Sequence, residues 1–189
     1  MKDDLCAGCL NPVLHKYCPA HGSPLYCLSL FAGPKIVYSD KIHKARKLSE
    51  FIHRNQKRWN GENYFASHIN AVVTNCLDYV GICENPENLI CLAYLHDCIE
   101  DVEEKDRDVL ESSMESDFQH LSGQLEVLTK KDLYHNYILK IVSSGHRDAM
   151  LVKLSDLRHN MSSGLDIKSN QYTKYVLSEY ILMKELGIR

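Results

Sequence analysis

The sequence predicts an all-α fold: a helical bundle preceded by a small cysteine-rich extension. From residue 37 onward, apolar residues recur with the 3.6-residue period of amphipathic helices. No stretch alternates apolar and polar residues as a half-buried strand does. Residues 1–36 differ from the rest, because they carry paired cysteines and several Pro and Gly. We therefore expect two units, residues 1–36 and residues 37–189.

Composition indicates an ordinary globular protein. The chain has 189 residues, enough for one domain with a core of its own plus a short extension, and 44% are hydrophobic and 25% charged. A net charge of −3 argues against a general nucleic-acid or membrane binder, although it leaves room for a local basic pocket. No apolar run approaches the length of a membrane span, and the N-terminus lacks a signal-peptide pattern. We expect a cytoplasmic protein whose 8 cysteines are reduced or metal-bound.

The extension has the residue types and spacing of a small zinc knuckle. Cys-x2-Cys is followed by Cys-x2-His, and two tight turns of this kind can each present two ligands to a tetrahedral Zn²⁺. The predicted structural zinc ligands are Cys6, Cys9, Cys18 and His21, with Cys27 or His15 as replacements. Bound metal would supply much of the folding energy of so short a segment. The alternative is a turn-rich arm with reduced thiols, and in either case the arm is a candidate for binding a protein partner.

The helices of the second unit can be placed in chain order. The predicted segments are 42–52, a helix that opens at Tyr64 and bears His68, 89–101, one or two helices within 109–131, 134–143, 148–161 and 172–186. In the last helix we expect most of the large apolar residues to be core. These are Tyr175, Val176, Tyr180, Ile181 and Met183.

The densest group of chemistry-bearing residues ends the helix predicted over 89–101. His96 and Asp97 follow an apolar run, and Glu100 and Asp101 come four residues later. Residues four apart share a helix face, so the two pairs form one polar patch. One imidazole and three carboxylates this close repel each other unless a cation lies among them. We predict half of a divalent-metal site, with Glu100 and Asp101 as catalytic residues that handle water. The alternative is a helix end with solvated acids.

Two further segments complete the predicted ligand set. His68 lies on the helix that opens at Tyr64, and Asp156 lies on the helix over 148–161, with Asn160 on the same face. A lone His on an apolar face is usually a core residue, but His68 precedes the His-Asp pair and Asp156 in the order typical of a metal site. The predicted metal ligands are His68, His96, Asp97 and Asp156. Two imidazoles and two carboxylates suit Mn²⁺, with Fe²⁺, Zn²⁺ and Mg²⁺ as alternatives.

The order H…HD…D resembles the HD-domain phosphohydrolase superfamily. The segments Gln56-Lys57-Arg58, His96-Asp-Cys-Ile-Glu-Asp101 and Lys153-Leu-Ser-Asp-Leu-Arg-His-Asn-Met161 are similar to the hydrolase domain of Rel/Spo-type alarmone enzymes and their small stand-alone relatives. The resemblance runs from about Lys41 to the C-terminus. It implies an HD-domain helical bundle that hydrolyses the 3′-pyrophosphate of guanosine tetra- or pentaphosphate, releasing GDP or GTP and pyrophosphate. No synthetase segment follows residue 189, so we expect the hydrolase half only.

The resemblance also implies substrate contacts. Arg58 would pack near the nucleotide base, and Asn160 would contact the sugar or the base. Lys57 and Arg54 are candidate phosphate contacts, or equally solvated charges at a helix end. Lys153 lies one helical turn before Asp156, where it neutralises the acidic site, reaches phosphate, or simply forms a salt bridge.

Two departures from the family pattern keep other functions open. Trp59 stands where the family usually has Lys, and Val102 stands where it usually has Thr. One alternative is an HD hydrolase of another nucleotide, such as a deoxynucleoside triphosphate, a cyclic nucleotide or NADPH. The other is a nucleotide-binding regulatory protein with little turnover.

Overall fold

The computed structural model describes residues 39–188, and these residues form the predicted all-α fold. The predicted zinc ligands of the extension lie outside the described residues. Within the described part, backbone pairing between extended segments is limited to one isolated bridge, Lys57 with Asn63. Over the same range, no helix combines the length and the apolar character that crossing a membrane requires.

The helices follow one another with short connections. They are α1 (Asp40–Ile52), α2 (Asn70–Leu77), α3 (Pro86–Leu95), α4 (Cys98–Asp101), α5 (Arg107–Asp117), α6 (Ser122–Leu128), α7 (Tyr134–Ser143), α8 (Arg147–Ser162) and α9 (Asn170–Leu186). A π-helix (Phe65–Ile69) leads directly into α2, and 3₁₀ turns precede α5 and α6.

Local sequence explains where several helices begin and end. The Ser39 side chain accepts from the Ile42 amide at the start of α1, and the Asn85 side chain accepts from the Asn88 amide where α3 begins with Pro86. These are the residue types that satisfy the free amides of a helix N-terminus. The last helix ends at Gly187, whose φ of +69° is the left-handed conformation that closes helices at low cost for glycine.

The two helices at the centre of the bundle are α3 and α8. Helix α3 packs against α1, α2 and α8, and α8 also packs against α2, α6 and α9. Every residue from Leu89 to Leu95 is buried, and most of α8 from Asp148 to Leu157 is buried as well. A helix that is apolar on all sides needs neighbours on all sides. The predicted metal ligands on or next to these helices are therefore held by the best-packed part of the molecule.

The helix predicted over 89–101 is interrupted at the His-Asp pair. Helix α3 ends at Leu95, and α4 begins only at Cys98. In a continuous helix the Ala93 carbonyl would accept from the Asp97 amide. Instead, His96 Nδ1 lies 2.8 Å from that carbonyl. The regular helix is thus broken at the predicted ligands, and the His96 imidazole contacts a carbonyl of the preceding turn.

The last helix forms as predicted, and Tyr175 and Met183 pack against the core as expected, but the core prediction for three other residues was wrong. Val176, Tyr180 and Ile181 are 42%, 67% and 38% exposed, and only the Ser178, Leu182 and Leu186 ridge of α9 is buried. Ser178, Leu182 and Leu186 are spaced four apart, so the buried residues form one narrow stripe. The helix lies on the outside of the bundle and packs mainly along α8, which leaves Val176, Leu177, Tyr180 and Ile181 facing solvent.

Candidate metal centre and its cavities

Three predicted ligands come together in the core of the bundle. His68 comes from the π-helix, His96 follows α3, and Asp156 lies on α8. One ligand atom from each lies within 4.8 Å of the other two, and all three residues are buried. This His68–His96–Asp156 group could hold a metal ion. The segments that supply it are separated by 28 and 60 residues in the chain, so the convergence is a property of the tertiary fold.

The two imidazoles are suited to binding a cation at this point. Among residues 39–188, neither His68 Nε2 nor His96 Nε2 has a hydrogen-bond partner, although both atoms are buried. Because a carbonyl only accepts, the 2.8 Å contact with the Ala93 oxygen places a proton on His96 Nδ1. Metal-binding histidines are typically held in this way, with the opposite ring nitrogen facing the ion. A bound cation would explain two buried ring nitrogens that make no hydrogen bond and face carboxylate oxygens.

Asp97 lies directly beside these imidazoles. Its Oδ2 is 3.1 Å from His96 Nε2 and 3.5 Å from His68 Nε2, and it accepts a hydrogen bond from the Tyr64 hydroxyl. Burial acts to raise the pKa of Asp97, but His96 and His68 together outweigh it through charge and hydrogen bonding and hold that pKa well below its usual value. Conversely, burial lowers the pKa of His96, and Asp97 and Asp156 more than offset it and raise the value to about 9. Cation binding at His96 Nε2 would therefore displace a proton.

Asp156 is held on both of its carboxylate oxygens. Oδ1 accepts from Asn160 Nδ2 at 2.6 Å and lies 3.4 Å from His68 Nε2. Oδ2 accepts from Lys153 Nζ at 2.7 Å, and this ammonium also lies 5.0 Å from the Tyr137 ring centre. Burial opposes ionisation, but the charge of Lys153, together with those of His68 and His96, keeps the pKa of Asp156 below its usual value. Lys153 thus forms the expected salt bridge with Asp156, and its positive charge offsets part of the negative charge of the carboxylates.

Arg58 reaches into the same cluster. Its Nη1 lies 3.2 Å from His68 Nδ1 and 3.3 Å from His159 Nε2, and its Nη2 donates to Ser163 Oγ at 2.9 Å. A guanidinium has no acceptor, so the first contact requires a lone pair on His68 Nδ1. Neutral His68 then carries its proton on Nε2, the atom that faces Asp156. Metal binding through Nε2 needs the other tautomer, and Arg58 must then release His68.

His159 is a site residue that the sequence analysis did not assign. It is buried, and its ring stacks on His68 with the centroids 5.0 Å apart. Burial, with the neighbouring Arg58 charge, lowers its pKa to about 4, so the ring is neutral at physiological pH. Its spacing of three residues from Asp156 on one helix was the available signal.

Glu100 and Asp101 lie in different surroundings. The Glu100 carboxylate accepts from the backbone amide of Lys130, whereas Asp101 Oδ2 accepts from Gln56 Nε2 at 2.9 Å. Gln56 in turn accepts from His53 Nδ1 at 2.6 Å. The pKa of each carboxylate is raised, mainly because of partial burial, and hydrogen bonding opposes the shift. Both groups are thus more basic than free carboxylates, which suits proton transfer.

Two cavities flank the cluster and share the side chains of Gln171 and Tyr175. The first, of about 320 Å³, we call the Trp59 cavity, and the second, of about 290 Å³, the lysine cavity. The Trp59 cavity is lined by Arg58, Trp59, Asn160, Ser163, Gly164, Leu165, Asp166, Gln171 and Tyr175. The lysine cavity is lined by Asp97, Glu100, Lys130, Tyr134, Tyr137, Lys153, Gln171, Lys174 and Tyr175.

The predicted substrate contacts divide between these cavities. Arg58 and Asn160 line the Trp59 cavity, and Lys153 lines the lysine cavity. Lys57 is exposed and lines neither. Arg54 lies elsewhere, where its Nη2 donates to Asp106 Oδ2 at 2.7 Å. Trp59 is 75% exposed and forms a wall of the Trp59 cavity.

Comparison with known proteins does not assign the chain to a family. Neither a scan against models of protein families nor a search of curated proteins finds a match. The function is therefore argued below from the cluster, its two cavities and the chemistry of the side chains that line them.

Proposed function

We propose that the described domain is an HD-type, metal-dependent nucleotide phosphohydrolase that removes the 3′-pyrophosphate from guanosine tetra- or pentaphosphate. The observation that carries this proposal is the approach of His68, His96 and Asp156 to within 4.8 Å of one another. Their order in the chain is the order of the HD motif. Buried ring nitrogens facing a carboxylate favour a cation-binding role over a purely structural one.

The metal would be held by His68, His96, Asp97 and Asp156, and we propose Mn²⁺. A mixed imidazole and carboxylate set is less suited to Mg²⁺, which prefers oxygen ligands and retains its waters, while Fe²⁺ and Zn²⁺ are the alternatives. When bound, a divalent cation supplies a Lewis acid that lowers the pKa of water and offsets phosphate charge.

The chain's own groups would handle the water and the leaving group. Glu100 and Asp101 would orient the attacking water and accept its proton, as their raised pKa values suit. The water oxygen bonds to the 3′-linked phosphorus, the bond from that phosphorus to the ribose oxygen breaks, and the ribose oxygen takes up a proton. The products from guanosine tetraphosphate are GDP and pyrophosphate.

The two cavities match the two ends of such a substrate. Lys130, Lys153 and Lys174 line one side, where cations would stabilise the charge of the pyrophosphate. On the other side, the exposed Trp59 indole offers a face for stacking a base, and Arg58 and Asn160 offer hydrogen bonds to the nucleoside. A volume of about 320 Å³ is at the lower end of the range for small-molecule pockets.

Product analysis tests the proposal. Metal-free protein is reconstituted with Mn²⁺ and incubated with guanosine tetraphosphate, NADPH, deoxynucleoside triphosphates and cyclic nucleotides. We expect GDP and pyrophosphate from the first substrate, no turnover without metal, and no turnover by Asp97→Ala. Lys57→Gln is the matched control, because Lys57 is exposed and lines neither cavity.

Each of the other outcomes has a clear meaning. Turnover of a different nucleotide would retain the metal chemistry and reassign the pocket. Full activity in Asp97→Ala would overturn the metal assignment. Nucleotide binding without turnover in the presence of every candidate metal would replace the enzyme by a regulatory binding protein.

A further inference from the structure

A third cavity, of about 410 Å³, lies on another part of the molecule. We call it the Arg46 cavity, and it shares no residue with the two cavities at the metal cluster. Helix α1 and the segment just after it form one wall, and the π-helix with the start of α2 forms the other. Its lining residues are Arg46, Glu50, Arg54, Asn63, Phe65, Ala66 and Asn70.

Two buried polar atoms at this cavity lack partners. Within the described part of the chain, Arg46 Nε and Asn70 Oδ1 have no hydrogen bond. Asn70 is only 6% exposed, so water reaches its side chain poorly. Buried polar atoms are nearly always paired in folded proteins, and each exception calls for an explanation. Arg46 Nε is a donor and Asn70 Oδ1 is an acceptor. A ligand in the cavity would satisfy both atoms if it carried an acceptor for the first and a donor for the second.

The charges around the cavity narrow the class of that ligand. Arg54 is already paired, since it donates to Asp106 Oδ2 at 2.7 Å and to the Phe51 carbonyl at 2.6 Å. Glu50 Oε2 is 3.9 Å from Arg46 Nη2, too far for a hydrogen bond. The remaining pair, Arg46 and Glu50, is one cation and one anion. A bare polyanion would face the Glu50 carboxylate, whereas a zwitterion would find a complement for each of its charges.

We propose that the Arg46 cavity binds a small zwitterion of the α-amino acid class. The Arg46 guanidinium receives the carboxylate, with which it can form two parallel hydrogen bonds. The ammonium donates to Asn70 Oδ1 and to Glu50, whose side chain is 54% exposed and can turn toward the ligand. Phe65 supports the arrangement, since its ring centre lies 5.8 Å from the Arg46 guanidinium carbon.

This site is separate from the proposed catalytic site. Ala66 and Asn70 are each two residues from His68, and residues two apart point to roughly opposite sides of a helix. The ligand would therefore contact the π-helix on the face opposite the metal cluster. Binding to the Arg46 cavity is expected without metal and without turnover, so the inference does not depend on the proposed function.

The test is ligand-observed NMR on metal-free protein. The probes are the common L-amino acids, tested individually, with inorganic phosphate and pyrophosphate as anion comparators. We expect saturation transfer to at least one amino acid, and a loss of affinity of about tenfold or more in Arg46→Gln, because a charge-assisted pair is removed. Asn70→Ala should lower the affinity for the same amino acid. Lys47→Gln, which changes an exposed side chain one residue from Arg46, should leave that affinity unchanged.

Further variants keep the result interpretable. Glu50→Gln alters a largely exposed side chain, so it is expected to fold normally and to weaken amino acid binding. His68→Ala should leave that binding unchanged, and circular dichroism checks the fold of each variant. The proposal is overturned if no amino acid binds, if binding survives Arg46→Gln, or if only the phosphates bind and Glu50→Gln strengthens them.

Discussion

The Trp59 cavity and the lysine cavity differ in chemistry although they are similar in size. They measure about 320 and 290 Å³ and share a wall formed by Gln171 and Tyr175. The first presents an indole, a guanidinium and an amide, whereas the second presents three lysines opposite two carboxylates. Both reach the His68–His96–Asp156 group, one through Arg58 and Asn160 and the other through Asp97 and Lys153. Under the proposed function, the base would be recognised in the Trp59 cavity and the phosphates would be handled in the lysine cavity.

The largest loss of metal binding and activity should come from replacing Asp156, which contacts a residue of each cavity. Asp156→Ala removes a carboxylate that contacts Lys153 and Asn160 and lies beside His68. We expect Mn²⁺ binding, measured by isothermal titration calorimetry, and hydrolysis both to be lost, because the cluster would keep its imidazoles without that negative charge. Retention of Mn²⁺ affinity would mean that Asp156 serves the fold and not the metal.

In the lysine cavity, replacing the buried Lys153 should strongly lower the free energy of unfolding. In Lys153→Met, Asp156 keeps its charge but loses its partner, and both side chains are at least 86% buried. Loss of one member of a buried pair typically costs about 3–5 kcal/mol of unfolding free energy. Urea denaturation measures this loss, and Mn²⁺ should restore more stability to the variant than to the parent. Lys174→Met, an exposed lysine of the same cavity, is the control; equal destabilisation there would contradict the argument.

The Trp59 cavity should show a smaller and more selective effect. Trp59→Ala removes the stacking face, and stacking of a base on an aromatic ring is worth about 1–3 kcal/mol. We expect KM for guanosine tetraphosphate to rise by a corresponding factor of about 5–150, with kcat little changed. Inhibition by pyrophosphate should be unaltered, since that product would occupy the lysine cavity. A matching loss of pyrophosphate inhibition would remove the distinction between the two cavities.

The smallest expected effect separates the two roles of Arg58. In Arg58→Gln the positive charge beside His68 is removed, so the affinity for Mn²⁺ should rise by a few-fold, about 1 kcal/mol or less. Substrate affinity should fall, because a donor is lost from the Trp59 cavity. Metal titration and Michaelis kinetics measure the two effects separately. A fall in both affinities would show that Arg58 supports the metal ligands instead of competing with the cation for His68.

Much of this arrangement could be predicted from the sequence, but not all of it. The helix carrying Asp156 was expected over 148–161 and spans Arg147–Ser162, because its apolar period is local information. The exposure of Tyr180 could not be read in the same way. An apolar stripe shows that a helix has a face to bury, but not how much of that face a neighbour covers.

The all-α fold and the identity of the cluster follow from the sequence alone. The helical period and the adjacent His96-Asp97 pair are local features of the sequence, and the order of His68, His96 and Asp156 in the chain selected them as candidate ligands. Tertiary structure alone decided the contacts of Arg58 with His68 and His159, and the unmet atoms of the Arg46 cavity. Each depends on where a side chain points and on what packs beside it. Both are determined by contacts between segments far apart in the sequence.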